Sequence, residues 1–238
     1  MSTITLPKGK SPALRQSPAS LVIYGQPKVG KTTALSMLDD CLIIDLEDGT
    51  DMLEALKLKV NNLKELEEAG AEIIKAGKPY KYVAIDTITK LEEWAEKEAT
   101  QMYLKSPMGK TFWEKNPEKP SVLTLPNGAG YLWLRIAYKK WIDAFRKLAE
   151  HVILVGHVRD KMIVDKQGHE VSASDLDLTG KIKSITCASA DAIGYLYRDK
   201  EGDLAISFLA GKEIASGSRA QYLAGKKFKL DWSKIFVD

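Results

Sequence analysis

The sequence predicts a single α/β domain built on a mainly parallel sheet, and three observations carry that expectation. First, LVIYGQPKVGKTT, starting at Leu21, joins an apolar run to a glycine-bounded loop and then to a helix-forming stretch. Second, the apolar runs CLIID, YVAID and HVILVGH each close on a polar or charged residue, as buried parallel strands do where they meet a ligand crevice. Third, 238 residues, 45% hydrophobic and 28% charged, suffice for one such core.

Residues 1–20 carry Lys8, Lys10 and Arg15, no acidic residue and three prolines. Such a segment buries little, so it reads as a flexible basic arm ahead of one domain spanning 21–238. The first strand then runs into Gly25, Gln26, Pro27, Lys28, Val29, Gly30, Lys31, Thr32 and Thr33, the pattern GxxxxGK[ST] between strand and helix. In that setting loop N–H groups turn inward around a phosphate, Lys31 reaches the β- and γ-phosphates, and the Thr32 hydroxyl ligates Mg²⁺. Gly25 and Gly30 are expected to serve the tight turn and the close approach of phosphate.

TTALSMLDD reads as a short helix and CLIIDLE as a strand delivering Asp45, Glu47 and Asp48 to the crevice. A charged, Leu-rich stretch from Asp51 to about Ala76 reads as helix with a solvated face. The next strand ends on Asp86, the second half of a phosphate-loop ATPase, whose carboxylate holds Mg²⁺ through water opposite Thr32. Many such ATPases place a glutamate directly after that aspartate to activate water. Thr87 stands there, which makes Glu47 on the neighbouring strand the best candidate base.

GQPKVGKTT, IIDLED, VAIDT and VILVGHVRDK together resemble the RecA/KaiC-type ATPase core, and most closely its small phage-encoded members associated with single-strand annealing and recombination. The resemblance covers about Leu21 to Leu209 and implies a RecA-like P-loop NTPase with core strand order 5-1-4-3-2. It implies ATP and Mg²⁺ as ligands, Glu47 as catalytic glutamate, and His157 as the residue that senses the γ-phosphate. It also implies a homo-oligomer, ring or filament, that binds single-stranded DNA, with a single-strand DNA-binding protein as a further partner. His151, at the entrance of the same strand, reads as structural.

Two insertions, near 105–130 and 159–184, read as loops that meet nucleic acid. Lys105, Lys110, Lys115 and Lys119 interleave with Phe112 and Trp113, the mixture of phosphate-neutralising cations and stacking rings that sequence-tolerant single-strand binding needs. The aromatic pair has a second reading, in which it pins the segment to the body. After His157, Arg159 and Lys161 lead through a DKQGH turn to Lys181 and Lys183, and by the resemblance this loop lines the DNA path. The closing strands ADAIGYLYRD and GDLAISFLAG precede a basic tail in which Arg219 is a candidate finger for a neighbouring subunit's γ-phosphate.

A net charge of +3 argues only weakly for a polyanionic partner, and two cysteines without metal-ligand spacing point to a reduced, cytoplasmic setting in a bacterium or phage-infected host. No apolar stretch approaches a membrane span, and the first residues lack a signal peptide's apolar region. A guanine-reading NKxD is absent, and no Arg-rich lid of the kind a small-molecule kinase uses follows the third strand. The remaining alternative is a nucleotide-dependent switch or scaffold acting on a protein partner in replication or packaging, without DNA contact.

Overall fold

Alternation within the apolar runs decides how the chain layers itself. Val22, Tyr24, Ile44, Val83, Ile85, Val152 and Leu154 face one side of a central sheet, while Leu21, Ile23, Ile43, Ala84, Ile153 and Val155 face the other. Both sides are buried, so the strands read as unbroken apolar runs instead of alternating polar and apolar residues. The computed structural model describes residues 6, 8–115, 121–164, 170–211 and 214–237. No helix among them is long and apolar enough to cross a membrane.

Among the described residues ten strands make the sheet: β1 (Ser20–Gly25), β2 (Cys41–Asp45), β3 (Lys57–Lys59), β4 (Tyr82–Asp86), β5 (His151–Val164), β6 (Glu170–Leu176), β7 (Ala192–Arg198), β8 (Leu204–Ser207), β9 (Gly217–Ser218) and β10 (Lys227–Lys229). Their order is β10-β8-β7-β1-β5-β4-β2-β3, with β6 on β5 and β9 on β7. The parallel core β7-β1-β5-β4-β2 is the expected 5-1-4-3-2 arrangement of a RecA-like P-loop NTPase. Register fixes the crevice: Gly25 lies opposite His157, Asp86 opposite Val155, and Asp45 opposite Asp86. Beyond His157, β5 leaves the parallel core and pairs antiparallel with β6, from Val158↔Leu176 to Val164↔Glu170.

Among the described residues six helices cover the sheet: α1 (Lys31–Ser36), α2 (Leu63–Lys75), α3 (Ile88–Lys105), α4 (Pro107–Lys115), α5 (Gly130–Phe145) and α6 (Gly180–Ser189). α3 buries Ile88, Leu91, Ala95 and Ala99 along one stripe, joined by Trp94 and Tyr103, against Leu134, Tyr138 and Trp141 of α5. Each large apolar side chain buried there stabilises by about 1.5–3 kcal/mol. The opposite face is closed by α1 and by the C-terminal residues Leu223, Ile235 and Phe236.

Three expectations are corrected. The helix expected from Asp51 starts only at Leu63, where Asn62 accepts from Glu65 N at 3.0 Å and Glu65 reaches back to Asn61 N at 2.8 Å. Before it, Lys57–Lys59 add a parallel strand to β2. The insertion read as loop over 105–130 contains α4 and two short 3₁₀ turns; Ser106 caps α4, its Oγ accepting from Gly109 N at 3.1 Å, with Pro107 at the first helical position. The basic arm ends before Ser17, since Ser17 and Pro18 are buried and His151 Nδ1 lies 2.8 Å from Pro18 O. Residues 1–5 and 7 of that arm, Lys119, and the DKQGH turn at 165–169 lie outside the described residues.

Candidate functional site

The phosphate loop leaves β1 at Gly25 and enters α1 at Lys31. Gly25 is required for a reason other than the expected one: a Cβ there would sit 2.4 Å from the Leu196 carbonyl oxygen of β7, so adjacent strands approach too closely for a side chain. Gly30 does meet a backbone demand, with φ +112 at the helix entrance, and Lys28 stands at φ 62 inside the loop. Val29 is buried under the turn, Pro27 and Thr33 are exposed at its rim, and the Gln26 amide donates to Asp160 Oδ2 on β5 at 2.9 Å.

Lys31 folds back across this loop. The residue is only 6% exposed, and its ammonium donates to Gly25 O and Gln26 O, both at 3.0 Å. Burial lowers its pKa, while the Asp86 and Glu47 carboxylates pull the other way. Thr32 Oγ1 donates to Asp86 Oδ2 at 2.7 Å, joining the loop to the end of β4. Burial raises the Asp86 pKa, opposed by the Thr32 hydrogen bond.

Asp45 has a role not read from the sequence. Its Oδ1 accepts from Glu47 N at 3.0 Å and Gly49 N at 3.2 Å, and its Oδ2 from Thr50 N at 2.9 Å and Thr50 Oγ1 at 2.6 Å. One carboxylate thus wraps residues 46–50 into a turn that carries Glu47. Burial pushes the Asp45 pKa up, but these four donors outweigh it and the net shift is downward. Asp45 followed five residues later by Thr50, with Gly49 between, was the available signal.

Glu47 is held from both sides. Thr87 Oγ1 donates to Oε1 at 2.7 Å, and His157 Nε2 lies 3.0 Å from Oε2. Against burial, these two contacts hold the Glu47 pKa below the ordinary glutamate value. Thr87 also caps α3, accepting from Lys90 N at 3.2 Å. The residue standing where many ATPases place their glutamate therefore positions the glutamate of the neighbouring strand. The His157 backbone bonds Thr89 Oγ1 and Asp177 N, and its buried Nδ1 has no partner among the described residues. A cleft of about 430 Å³ is lined by Lys31, Thr32, Asp45, Glu47, Asp86, Thr87 and His157. A groove of about 620 Å³, between β3 and α2, lies apart from these groups.

The DNA candidates are dispersed. Phe112 and Trp113 are half-buried against the core, with Phe112 edge-on to Tyr103 at 6.5 Å, so they pin α4 and are not free stacking platforms. Lys105, Lys110 and Lys115 are exposed along α3 and α4. Arg159 pairs with Asp177 at 2.5 Å; Lys161 and Lys183 share Asp175 at 2.8 and 2.6 Å; Lys181 is exposed. Arg219 sits at the opposite end of the sheet from the cleft, bonded to Ala188 O at 2.5 Å and 3.5 Å from Asp191.

A phosphate loop at the end of the central strand, facing a buried aspartate and an oriented glutamate across a 5-1-4-3-2 sheet, defines a P-loop ATPase core. A family model of the AAA domain, AAA_24, matches residues 17–222, and the chain belongs to that family. It is an ATP-binding P-loop ATPase. No curated protein matches the chain. Among solved structures, a prototypical ATPase from the type III secretion system of pathogenic bacteria aligns at 12% identity with a TM-score of 0.46, covering 99% of this chain and 74% of the other.

Proposed function

We propose that this chain hydrolyses MgATP with Glu47 as general base and couples the cycle to single-stranded DNA, in annealing or homologous recombination of the phage type. The supporting observation is the Glu47 carboxylate, anchored by Thr87 and His157 at the mouth of the cleft that holds Lys31, Thr32 and Asp86. Lys31 would exchange its loop carbonyls for the β- and γ-phosphates. One hydroxyl and one carboxylate, Thr32 and Asp86, form an all-oxygen set that suits a hard cation such as Mg²⁺. When bound, Mg²⁺ neutralises charge on the β- and γ-oxygens.

Glu47 takes a proton from a water whose oxygen attacks the γ-phosphorus; the bond to the β–γ bridging oxygen breaks and its electron pair leaves with ADP. His157 occupies one Glu47 oxygen, so a γ-phosphate that draws His157 away frees that oxygen to accept the proton. Because the His157 backbone is bonded to Asp177 N at the base of the β5–β6 hairpin, the same movement reaches that hairpin. Lys105, Lys110, Lys115 and Lys181, which make no ion pair among the described residues, supply the cations for a DNA backbone.

The test is steady-state ATP hydrolysis with and without single-stranded DNA at two salt concentrations, with Lys31→Ala as blank. Stimulation that fades with salt supports the DNA reading. Turnover indifferent to DNA supports the second reading, a nucleotide-dependent switch acting on a protein partner. That reading is favoured by the neutralisation of Arg159 by Asp177, and of Lys161 and Lys183 by Asp175.

A further inference from the structure

Charge is distributed unevenly about the phosphate loop. β1, which feeds the loop, lies between β5 and β7. On the β5 flank stand His157 and, farther along the sheet, Asp86 and Glu47. The β7 flank ends on a cation, Arg198.

Register brings that residue to the loop. Leu196 lies opposite Gly25, and Arg198 follows two residues later, about 7 Å along the strand and on the same face. On this face Leu196 packs with Val29 and Leu35, whereas Tyr195 and Tyr197 stack on the other. Arg198 therefore leans toward the loop. Its Nη2 stands 3.0 Å, and its Cζ 3.9 Å, from the point that a Cβ on Gly30 would occupy, with Leu204 Cδ2 at 3.7 Å. A side chain at position 30 would displace the guanidinium.

One edge of the guanidinium is anchored and the other is open. Nη1 donates to Gly202 O at 3.1 Å in the turn between β7 and β8. Among the described residues Nη2 has no hydrogen-bond partner, and Arg198 forms no ion pair. The acids of that turn are engaged elsewhere: Glu201 and Asp203 pair with Lys229 at 3.3 and 2.5 Å, and Asp199 Oδ1 accepts from Glu201 N and Asp203 N. Lys229 is the chief cause of the lowered Asp203 pKa, and Arg198 only a minor one.

We propose that Arg198 is a nucleotide-binding residue whose open edge takes α- and β-phosphate oxygens, the part of the phosphate chain that ATP and ADP share. The γ-phosphate belongs to the other flank, where Asp86 and His157 stand. β7 and β5 are two strand spacings apart, about 10 Å, so a phosphate chain lying across the loop meets Arg198 and His157 at different ends. A guanidinium suits this task, because it stays charged and its planar fork holds two oxygens at once. The inference rests on the ATP-binding reading of the loop, with its γ end toward Asp86 and His157, and not on Glu47 as base or on DNA.

Isothermal titration calorimetry of the full chain with ADP and with the non-hydrolysable analogue AMP-PNP, both with Mg²⁺, tests this. Arg198→Gln is expected to weaken both ligands by the same factor, about tenfold. Arg198→Lys, which keeps the charge and loses the fork, is expected to fall between Arg198→Gln and the parent, and it takes the place of Arg198→Gln should that variant fail to fold. Lys200→Gln removes the same charge two residues' reach from the loop and is expected to bind like the parent. Arg198→Gln binding both ligands as tightly as the parent overturns the proposal. So does a loss confined to AMP-PNP, which would put Arg198 on the γ-phosphate, or an equal loss in Lys200→Gln, which would make the effect one of general charge. Lys31→Ala separates the two levels: if it binds ADP like the parent, the reading of the loop fails and takes this inference with it, whereas a weakened Lys31→Ala beside an unaffected Arg198→Gln overturns this inference alone.

Discussion

Replacing Thr87 by valine keeps the side chain's shape and removes only its hydroxyl. That hydroxyl does two things: it donates to Glu47 Oε1 at 2.7 Å and accepts from Lys90 N at 3.2 Å. Losing the helix cap costs about 1 kcal/mol. Losing a hydrogen bond to a carboxylate costs 1.5–3 kcal/mol in general; with Glu47 30% exposed and still held by His157, about 1–2 kcal/mol applies. The sum, about 2–3 kcal/mol, lowers Tm by roughly 4–12 °C for a chain of 238 residues. Catalysis should suffer separately. With one of its two anchors gone, Glu47 is misaligned and kcat falls by about tenfold, equivalent to 1.4 kcal/mol of barrier, while KM for ATP stays put because Thr87 touches none of the phosphate-holding groups. Losing a donor to the charged form raises the Glu47 pKa, so the acid limb of the kcat profile moves to higher pH. Thr87→Ser retains the hydroxyl and should restore both readouts. A valine variant with lowered Tm but parental kcat and an unmoved acid limb would leave Thr87 as a helix cap alone.

Other perturbations separate structure from function elsewhere. Gly25→Ala forces a Cβ to 2.4 Å from Leu196 O, and the displaced strand should cost about 2–3 kcal/mol in denaturant unfolding even without nucleotide. Phe112→Ala or Trp113→Ala should lower stability by about 1–3 kcal/mol through lost packing, with the salt slope of any single-stranded DNA binding unchanged. Asp45, its pKa held down in the fold, contributes stability that is complete above its unfolded pKa of about 3.9 and is lost as pH falls through its lower folded value. Asp45→Ala should therefore be less stable at neutral pH yet lose less on acidification, as read from denaturant midpoints across pH.

The parallel core and most of the cleft were legible because their signals are local. A strand that must be buried on both faces is an apolar run, and its last residue is the one presented to the crevice, which placed Gly25, Asp86 and His157 on one edge. What escaped was set by contacts across the chain. Lys57–Lys59 is a three-residue strand of exposed residues with no apolar pattern, and only pairing with β2 makes it one. α4 was hidden because Pro107 and Gly109 are residue types that weigh against a helix. Pro107 in fact starts the helix, and Gly109 lies where a Cβ would come 1.9 Å from Tyr103 O, so its absence permits two helices to abut. Asp45 resembled a ligand-facing acid, and only the four donors around it reveal a turn-builder.

Glu47→Gln tests most directly whether the glutamate held by Thr87 and His157 is the base. The amide keeps the size of the side chain and removes its ability to take a proton. Measured together, ATP affinity should be retained and steady-state turnover should fall by about 10²–10⁴-fold. Turnover equal to the parent's, with ATP bound as before, would contradict the assignment and move the base elsewhere in the cleft.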